Sequence, residues 1–291
     1  MRLGAVLLQN RSFDELRRDA RVIEDAGFRT LWLADHVMSF PRMGTLLEPW
    51  TLLGALAVST ERVRIGTLVT NITYRNPALL AKQAITIDHI SSGRLEIGIG
   101  AAGTMRDDAR VAGVPEWSLP ERAERFEEFV ELVDTALRGG DSEFSGEHYR
   151  TAAFERGPWP VQQPRPPLTI AAQGPRTLRV AARFADTWNA LAGFGRIGED
   201  LLTFLKSCNA ELDDLAASFG RDPASIRRSL LVQDSGFTWW ESPAALADFL
   251  GAVTETGVQD VDFYYPPYGD AASGGLAPER FLELVAGIDR D

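Results

Sequence analysis

Eight short apolar runs, each rich in Val, Ile, Leu or Trp, recur along the chain at residues 3–8, 30–34, 63–69, 94–99, 168–172, 186–191, 227–233 and 259–265. Segments of helical period separate them. Runs of this length bounded by turn residues read as strands, and their alternation with helices reads as βα units feeding a parallel sheet. Eight units over 291 residues favour one α/β domain over 1–291, a (β/α)8 TIM barrel, with two open α/β halves as the alternative. Local signals agree. Ser12 with Glu15 is a capping box for the first helix and Gly27 its stop. Pro120–Leu137 carries Phe126, Phe129, Val130, Val133 and Leu137 on one stripe, with Arg122, Glu124, Glu127, Glu128 and Glu131 off it. The polar, Pro-rich stretch 139–167 breaks the repeat and reads as a hairpin and loop inserted after the fourth strand, in the role of a lid.

Composition narrows the partners. With 41 acidic residues against 30 basic ones and a net charge of -11, the surface repels nucleic acid and anionic membrane, which leaves a small molecule as the expected partner. One cysteine, Cys208, excludes an internal disulfide and reads as packing within a helix. The run Leu3–Leu8 is too short for a signal peptide's apolar region, and no later run reaches the ~18 residues of a membrane span. The expected location is the cytoplasm.

In a barrel of this kind chemistry sits at the C-terminal ends of the strands. Asp35 and His36 end the second strand in "LWLADHV": His36 can act as acid, base or anion stabiliser, with Asp35 orienting it or binding a ligand donor, or the pair can simply bond a loop backbone. The third strand, "VRIGTLVTNITYRNP", offers Gly66, Thr67, Thr70, Asn71 and Asn76 to a heterocycle. Its Arg75 either pins the rim through a carboxylate or touches a ligand. Glu48, before Pro49-Trp50, is a helix-start carboxylate or a partner of His36. The fourth strand ends in "GIGAAG" without the surroundings of a dinucleotide loop, so Gly98, Gly100 and Gly103 read as a tight turn where a flat ring lies on bare backbone. In "AAQGPRTLRVAARFAD", Gly174 and Pro175 start a helix with Arg176 and Thr177 in its first turn, which suits a phosphate, and Gln173 suits a ring carbonyl. Trp239 and Trp240 follow the seventh strand and wall a substrate pocket or fill core. His89 reads as structural and His148 as solvated. No metal-ligand set is visible.

The ordered segments "LWLADH", "LEPWTLLGALAVSTERVRIGTLVTNITYRNPALLAKQAITIDHISSGRLEIGIGAAG" and "AAQGPRTLRVAARFADTW" resemble the bacterial-luciferase-like oxidoreductases, which include flavin-dependent monooxygenases and coenzyme F-420-dependent enzymes. The resemblance spans essentially the whole chain. It implies a TIM barrel with a flavin or deazaflavin ring across the strand C-termini, and a homodimer or higher homo-oligomer. Asp35 and His36 match the pair beside the ring in the deazaflavin branch, with His36 exchanging the proton. Leu68-Val69 matches a non-prolyl cis peptide forming a bulge behind the ring, next to Thr67. Gly100, Ala101 and Ala102 fall near the ring or its tail, and Gln173, Gly174, Pro175, Arg176 and Thr177 match its edge and phosphate turn.

One departure matters. Gly103 stands where the sugar-phosphate dehydrogenases of this group carry a catalytic glutamate, and Asp107 and Asp108 are the nearby carboxylates that could replace it. That substrate is therefore not carried over. The resemblance leaves two cofactors: coenzyme F-420 for hydride exchange with an organic substrate, or reduced FMN with oxygen, which brings in a separate flavin reductase. The pair Asp35-His36 favours the first, whereas a long anionic tail would call on the few cations near these motifs, Arg75, Arg106 and Arg176. A non-catalytic flavin-binding barrel is the remaining alternative.

Overall fold

A computed structural model describes residues 1–37, 44–102, 106–139, 143–152, 157–193, 195–267 and 276–288, with the side chains of Arg106 and Asp107 outside the description. Its strands are β1 (Arg2–Leu7), β2 (Thr30–Leu33), β3 (Arg64–Asn71), β4 (Leu95–Gly100), β5 (Phe144–Ser145), β6 (Arg150–Thr151), β7 (Leu168–Ala171), β8 (Thr187–Ala192), β9 (Arg227–Val232) and β10 (Asp260–Tyr265). Its helices are α1 (Phe13–Asp25), α2 (Pro49–Ala57), α3 (Pro77–Ile90), α4 (Arg106–Ala112), α5 (Leu119–Leu137), α6 (Pro175–Phe184), α7 (Gly198–Ser218), α8 (Pro243–Thr254) and α9 (Pro278–Ala286). Every barrel strand is parallel to its neighbours, and the sheet closes in the order β1-β10-β9-β8-β7-β4-β3-β2. This is the expected (β/α)8 barrel.

Local sequence explains the ends of the elements. Ser12 and Glu15 form the reciprocal capping box of α1, and Gly27 adopts φ 77° just after its end. The stripe of Phe126, Phe129, Val130, Val133 and Leu137 on α5 is buried against the barrel. Outward residues of the strands, such as Leu3, Ala5 and Leu7 on β1, meet the helices in one large apolar layer. Cys208 of α7 lies in that layer, and burial pushes its thiol up to about 11. No described helix is long and apolar enough to cross a membrane.

Inward residues divide the barrel into two halves. At the N-terminal end Arg2 and Arg227 both hold Asp260, and Arg64 holds Glu96. Toward the C-terminal end Val6, Trp32, Leu68 and Leu231 close an apolar layer, with Val69, Leu191 and Tyr264 packed on it.

The Leu68-Val69 peptide is cis, and the β3–β4 register shifts between Thr67 and Thr70. The bulge brings β3 onto β4 so closely that a Cβ at Gly98 would lie 2.0 Å from the Thr67 carbonyl oxygen, and one at Gly100 would lie 2.4 Å from Val69 Cγ2. These glycines admit the bulge. Gly103, the third glycine of this turn, lies outside the described residues.

The insertion after β4 contains the antiparallel hairpin β5–β6, but its position corrects the expectation of a lid. Glu128 of α5 accepts the backbone N–H groups of Glu147, His148 and Tyr149 at 2.8, 2.9 and 3.1 Å, which holds the hairpin against the outside of the barrel. His148 is mostly buried beside Glu124 and not solvated. Further along, His89 at the end of α3 donates to the Trp159 carbonyl, and Gln162 bridges Asp88 and the Leu95 carbonyl. Those contacts lie at the N-terminal end of the barrel, opposite the expected site.

Candidate active site

Beyond β2 the chain is held by side chains instead of a strand partner. Gln9, fully buried, bonds both the carbonyl and the N–H of Ala34. Asp35 follows, and its side chain is 1% exposed. Its carboxylate takes Arg75 Nε and Nη2 at 2.6 and 2.7 Å and the Asn71 N–H at 3.1 Å, while its carbonyl accepts the Tyr74 hydroxyl. Glu48 caps α2 and also holds Arg75 at 2.6 Å. Burial opposes the charge of Arg75, yet Asp35 and Glu48 outweigh it and keep the guanidinium above its usual range. Burial, then the charges of Asp35 and Asp108, also push the Tyr74 phenol above its usual range and keep it a donor. Asp35 is thus fully occupied as a rim anchor, and Arg75 takes the ion-pair role of its two readings.

The partner of His36 is a different carboxylate. His36 Nδ1 lies 2.6 Å from Asp108 Oδ2, and the other oxygen of Asp108 accepts the Val37 N–H at 3.0 Å. The Asp108 side chain is 1% exposed and that of His36 is 25% exposed. A carboxylate oxygen accepts, so Nδ1 is the donating nitrogen of this pair. This corrects the expectation that Asp35 orients His36. Asp108 entered the sequence reading only as a stand-in for the glutamate missing at Gly103. Gly103 and the side chain of Asp107 lie outside the described residues.

The rest of the mouth is apolar below and polar at one side. Val69, Leu191 and Tyr264 are half-buried on the apolar layer, and Ala101 and Ala102, just past the end of β4, are half-buried too. Ala102 has φ 55°, and its carbonyl is held by Arg122 of α5 at 2.7 Å. Gly100 and Leu68 are buried beneath. The Thr67 hydroxyl bonds the Thr70 hydroxyl and the Gly98 carbonyl, and the residue is fully buried.

At the end of β7 the chain enters α6 through Gly174, where a Cβ would meet nothing within 4 Å. Pro175 takes the first turn, no side chain caps the helix start, and Thr177 instead bonds the Gly174 backbone. Arg176 is exposed beside it. Open backbone, an uncapped helix start and an adjacent arginine can receive a phosphate. Gln173 is bonded by Arg196 from the turn after β8, a residue the motif reading missed because nothing local distinguishes it. The whole rim can seat a flat ring with an anionic tail.

Trp239 is outside this rim. It packs on Phe263 and Phe281 in the layer between barrel and helices, with Trp240 edge-on against it. Of its two readings, core filling describes Trp239; Trp240 is half-buried on the same layer. A cleft of about 290 Å³, counted with its open solvent, lies at the opposite end of the barrel and is lined by Arg2, Glu96, Asp260 and Asp262 among others. Ion pairs hold that end, which marks it as structural in a barrel whose chemistry is placed at the C-terminal face.

The profile of the luciferase-like monooxygenases matches residues 1–233. The chain belongs to this family. The luciferase-like chain is 28% identical over 225 residues to the F420-dependent hydroxymycolic acid dehydrogenase of Mycobacterium tuberculosis, covering 76% of its own length and 59% of that protein. It is 29% identical over 177 residues to the oxygenase component of the flavin-dependent trigonelline monooxygenase of Acinetobacter baylyi, covering 60% of itself and 47% of that protein. It therefore spans about half to three fifths of the length of these curated relatives. The coenzyme F420-dependent tetrahydromethanopterin reductase of Methanopyrus kandleri superposes with a TM-score of 0.78 at 20% identity, over 98% of this chain and 97% of that one. That last likeness is one of fold.

Proposed function

We propose that this protein is an oxidoreductase that exchanges a hydride between coenzyme F-420 and a small organic substrate at the C-terminal mouth of the barrel. The observation that carries the reading is His36, just past the end of β2, backed by the buried Asp108 at 2.6 Å with its own side chain 25% exposed. A bound deazaflavin supplies a two-electron hydride carrier with little reactivity toward oxygen. Val69, Leu191, Tyr264, Ala101 and Ala102 would carry its ring, while Gln173, Gly174, Arg176 and Thr177 would hold the edge and the phosphate. His36 takes the proton of a substrate oxygen at Nε2 when hydride leaves the adjacent carbon, or returns it in the reverse direction. Asp108 keeps the imidazole in the tautomer that does this and stabilises it when charged.

A second reading is favoured by the trigonelline monooxygenase relative and by a phosphate turn with one exposed arginine, which meets the needs of FMN. In that case the protein is a monooxygenase of reduced flavin and oxygen, supplied by a separate reductase. Self-association into a homodimer is in keeping with exposed apolar side chains on the outside of the barrel, Val58 just after α2 and Leu79 of α3 among them.

Paired titration of the purified protein with coenzyme F-420 and FMN, followed by absorbance and fluorescence, tests the reading. Micromolar or tighter binding of coenzyme F-420 supports hydride exchange. Binding of FMN alone moves the assignment to the monooxygenase, and binding of neither overturns both.

A further inference from the structure

We infer that Arg196 fixes the direction of the Gln173 side-chain amide, so that Gln173 offers its NH2 group to a hydrogen-bond acceptor on the edge of the bound ring; this rests on the flavin-type reading above. An amide carries an acceptor on one side and two donors on the other, and a half-turn about its last torsion exchanges them. A guanidinium carries donors only. Arg196 Nη1 bonds Gln173 Oε1, so the exchange is blocked while that contact lasts. The oxygen is committed to the arginine, and the NH2 group faces away from it.

Arg196 is itself held in place. The turn from Gly193 to Arg196 is closed by reciprocal backbone bonds of 3.3 and 3.2 Å, and its guanidinium lies 4.2 Å from the centroid of the Phe204 ring on α7. The clamp thus joins the ends of β7 and β8 to α7. Among the described residues no acceptor engages the Gln173 NH2 group, and the side chain is half-buried. It stands one residue before the uncapped start of α6. A donor fixed at that point suits a carbonyl oxygen or a bare ring nitrogen, which the pyrimidinedione edge of either flavin or deazaflavin carries. Arg196 is therefore a positioning residue, and Gln173 is the recognising one.

Gln173→Glu separates this role from a structural one. Glutamate keeps an oxygen for Arg196 and strengthens that contact, while the donor is exchanged for a second acceptor. The melting temperature should hold or rise. Affinity for whichever of FMN or coenzyme F-420 the wild type binds should fall by about tenfold or more, through the lost bond and the acceptor left facing an acceptor. The midpoint potential of the bound cofactor should become more negative. Arg196→Ala should weaken binding about threefold in the wild-type background and have no further effect in Gln173→Ala, since positioning matters only when the amide is present. Unchanged affinity in Gln173→Glu, or an equal effect of Arg196→Ala in both backgrounds, overturns this inference alone. Wild-type protein that binds neither cofactor overturns the flavin-type reading and this inference with it.

Discussion

At the N-terminal end of the barrel Arg2 and Arg227 grip Asp260, Arg64 grips Glu96, and Asp262 accepts the Trp32 indole N–H at 2.8 Å. Further along the same strands the inward positions carry Val6, Leu68, Leu231 and Tyr264. The first end uses its charges against one another. The second leaves its apolar floor half-open and keeps its polar groups at the rim. One sheet thus holds an ion-paired base and a receptive mouth, because alternate residues of each strand face the interior and the choice between them is made every two positions.

The sharpest separation of the two ends is the loss of chemistry without loss of fold. His36→Ala should lower turnover by roughly 10³-fold, about 4 kcal/mol in the barrier, with little change in cofactor affinity and a smaller loss of stability, because the buried Asp108 loses its side-chain partner. Steady-state kinetics beside a cofactor titration checks this, and an unchanged turnover would remove His36 from the proposed proton transfer.

Asp35, although at the mouth, should behave like the base. Asp35→Ala leaves Arg75 buried without its main carboxylate and should cost about 3 kcal/mol of stability. Denaturant unfolding measures it. A fully stable variant would mean that the rim anchor described above carries no load.

Two carboxylates on β10 split the pH response. Burial, with Asp260 and Glu96 nearby, pushes Asp262 up to about 8 despite the Trp32 bond. Folded protein therefore keeps Asp262 neutral where the unfolded chain ionises it, so its contribution is full below the ordinary carboxylate range and is lost as pH rises toward 8. Burial also opposes ionisation of Asp260, but the bonds from Arg2 and Arg227 outweigh it and lower its pKa. Its contribution is present above the ordinary range and is lost in acid. Melting curves from pH 2 to 9 should show Asp262→Asn gaining on the wild type as pH rises toward 8, while Asp260→Asn is fully damaging from about pH 5 upward and less so below the ordinary carboxylate range. Parallel curves for all three proteins would break the contrast.

The smallest effect belongs to the exposed rim. Arg176→Ala should weaken cofactor binding by about tenfold, or 1.4 kcal/mol, and leave stability within about 0.5 kcal/mol. Isothermal titration and thermal melts read the two separately, and intact affinity would remove the phosphate role from Arg176.

How far these assignments can be read without the fold depends on the distance over which each signal acts. The eight strand runs lie within a few residues of the observed strands because burial on both faces keeps barrel strands rich in apolar residues. Ser12 with Glu15, and Gly174 with Pro175, mark helix starts because capping acts within one turn. Trp239-Trp240 gave no such help, since a large aromatic suits a pocket wall and a core equally. The insertion looked like a lid because its polarity shows exposure but not the end of the barrel on which it lies.

From sequence alone came the βα repeat, the barrel, the helix caps and the end at which His36, Ala101 and Gln173 gather. Only the tertiary structure decided which side chain each polar group meets. Asp108 reaches His36 across 72 positions, Arg75 reaches Asp35 across 40, and Arg196 reaches Gln173 across 23. Helical period, strand alternation and caps are properties of a few adjacent residues. Pairing across the mouth depends on barrel closure, strand register and the paths of the loops, which no local pattern carries.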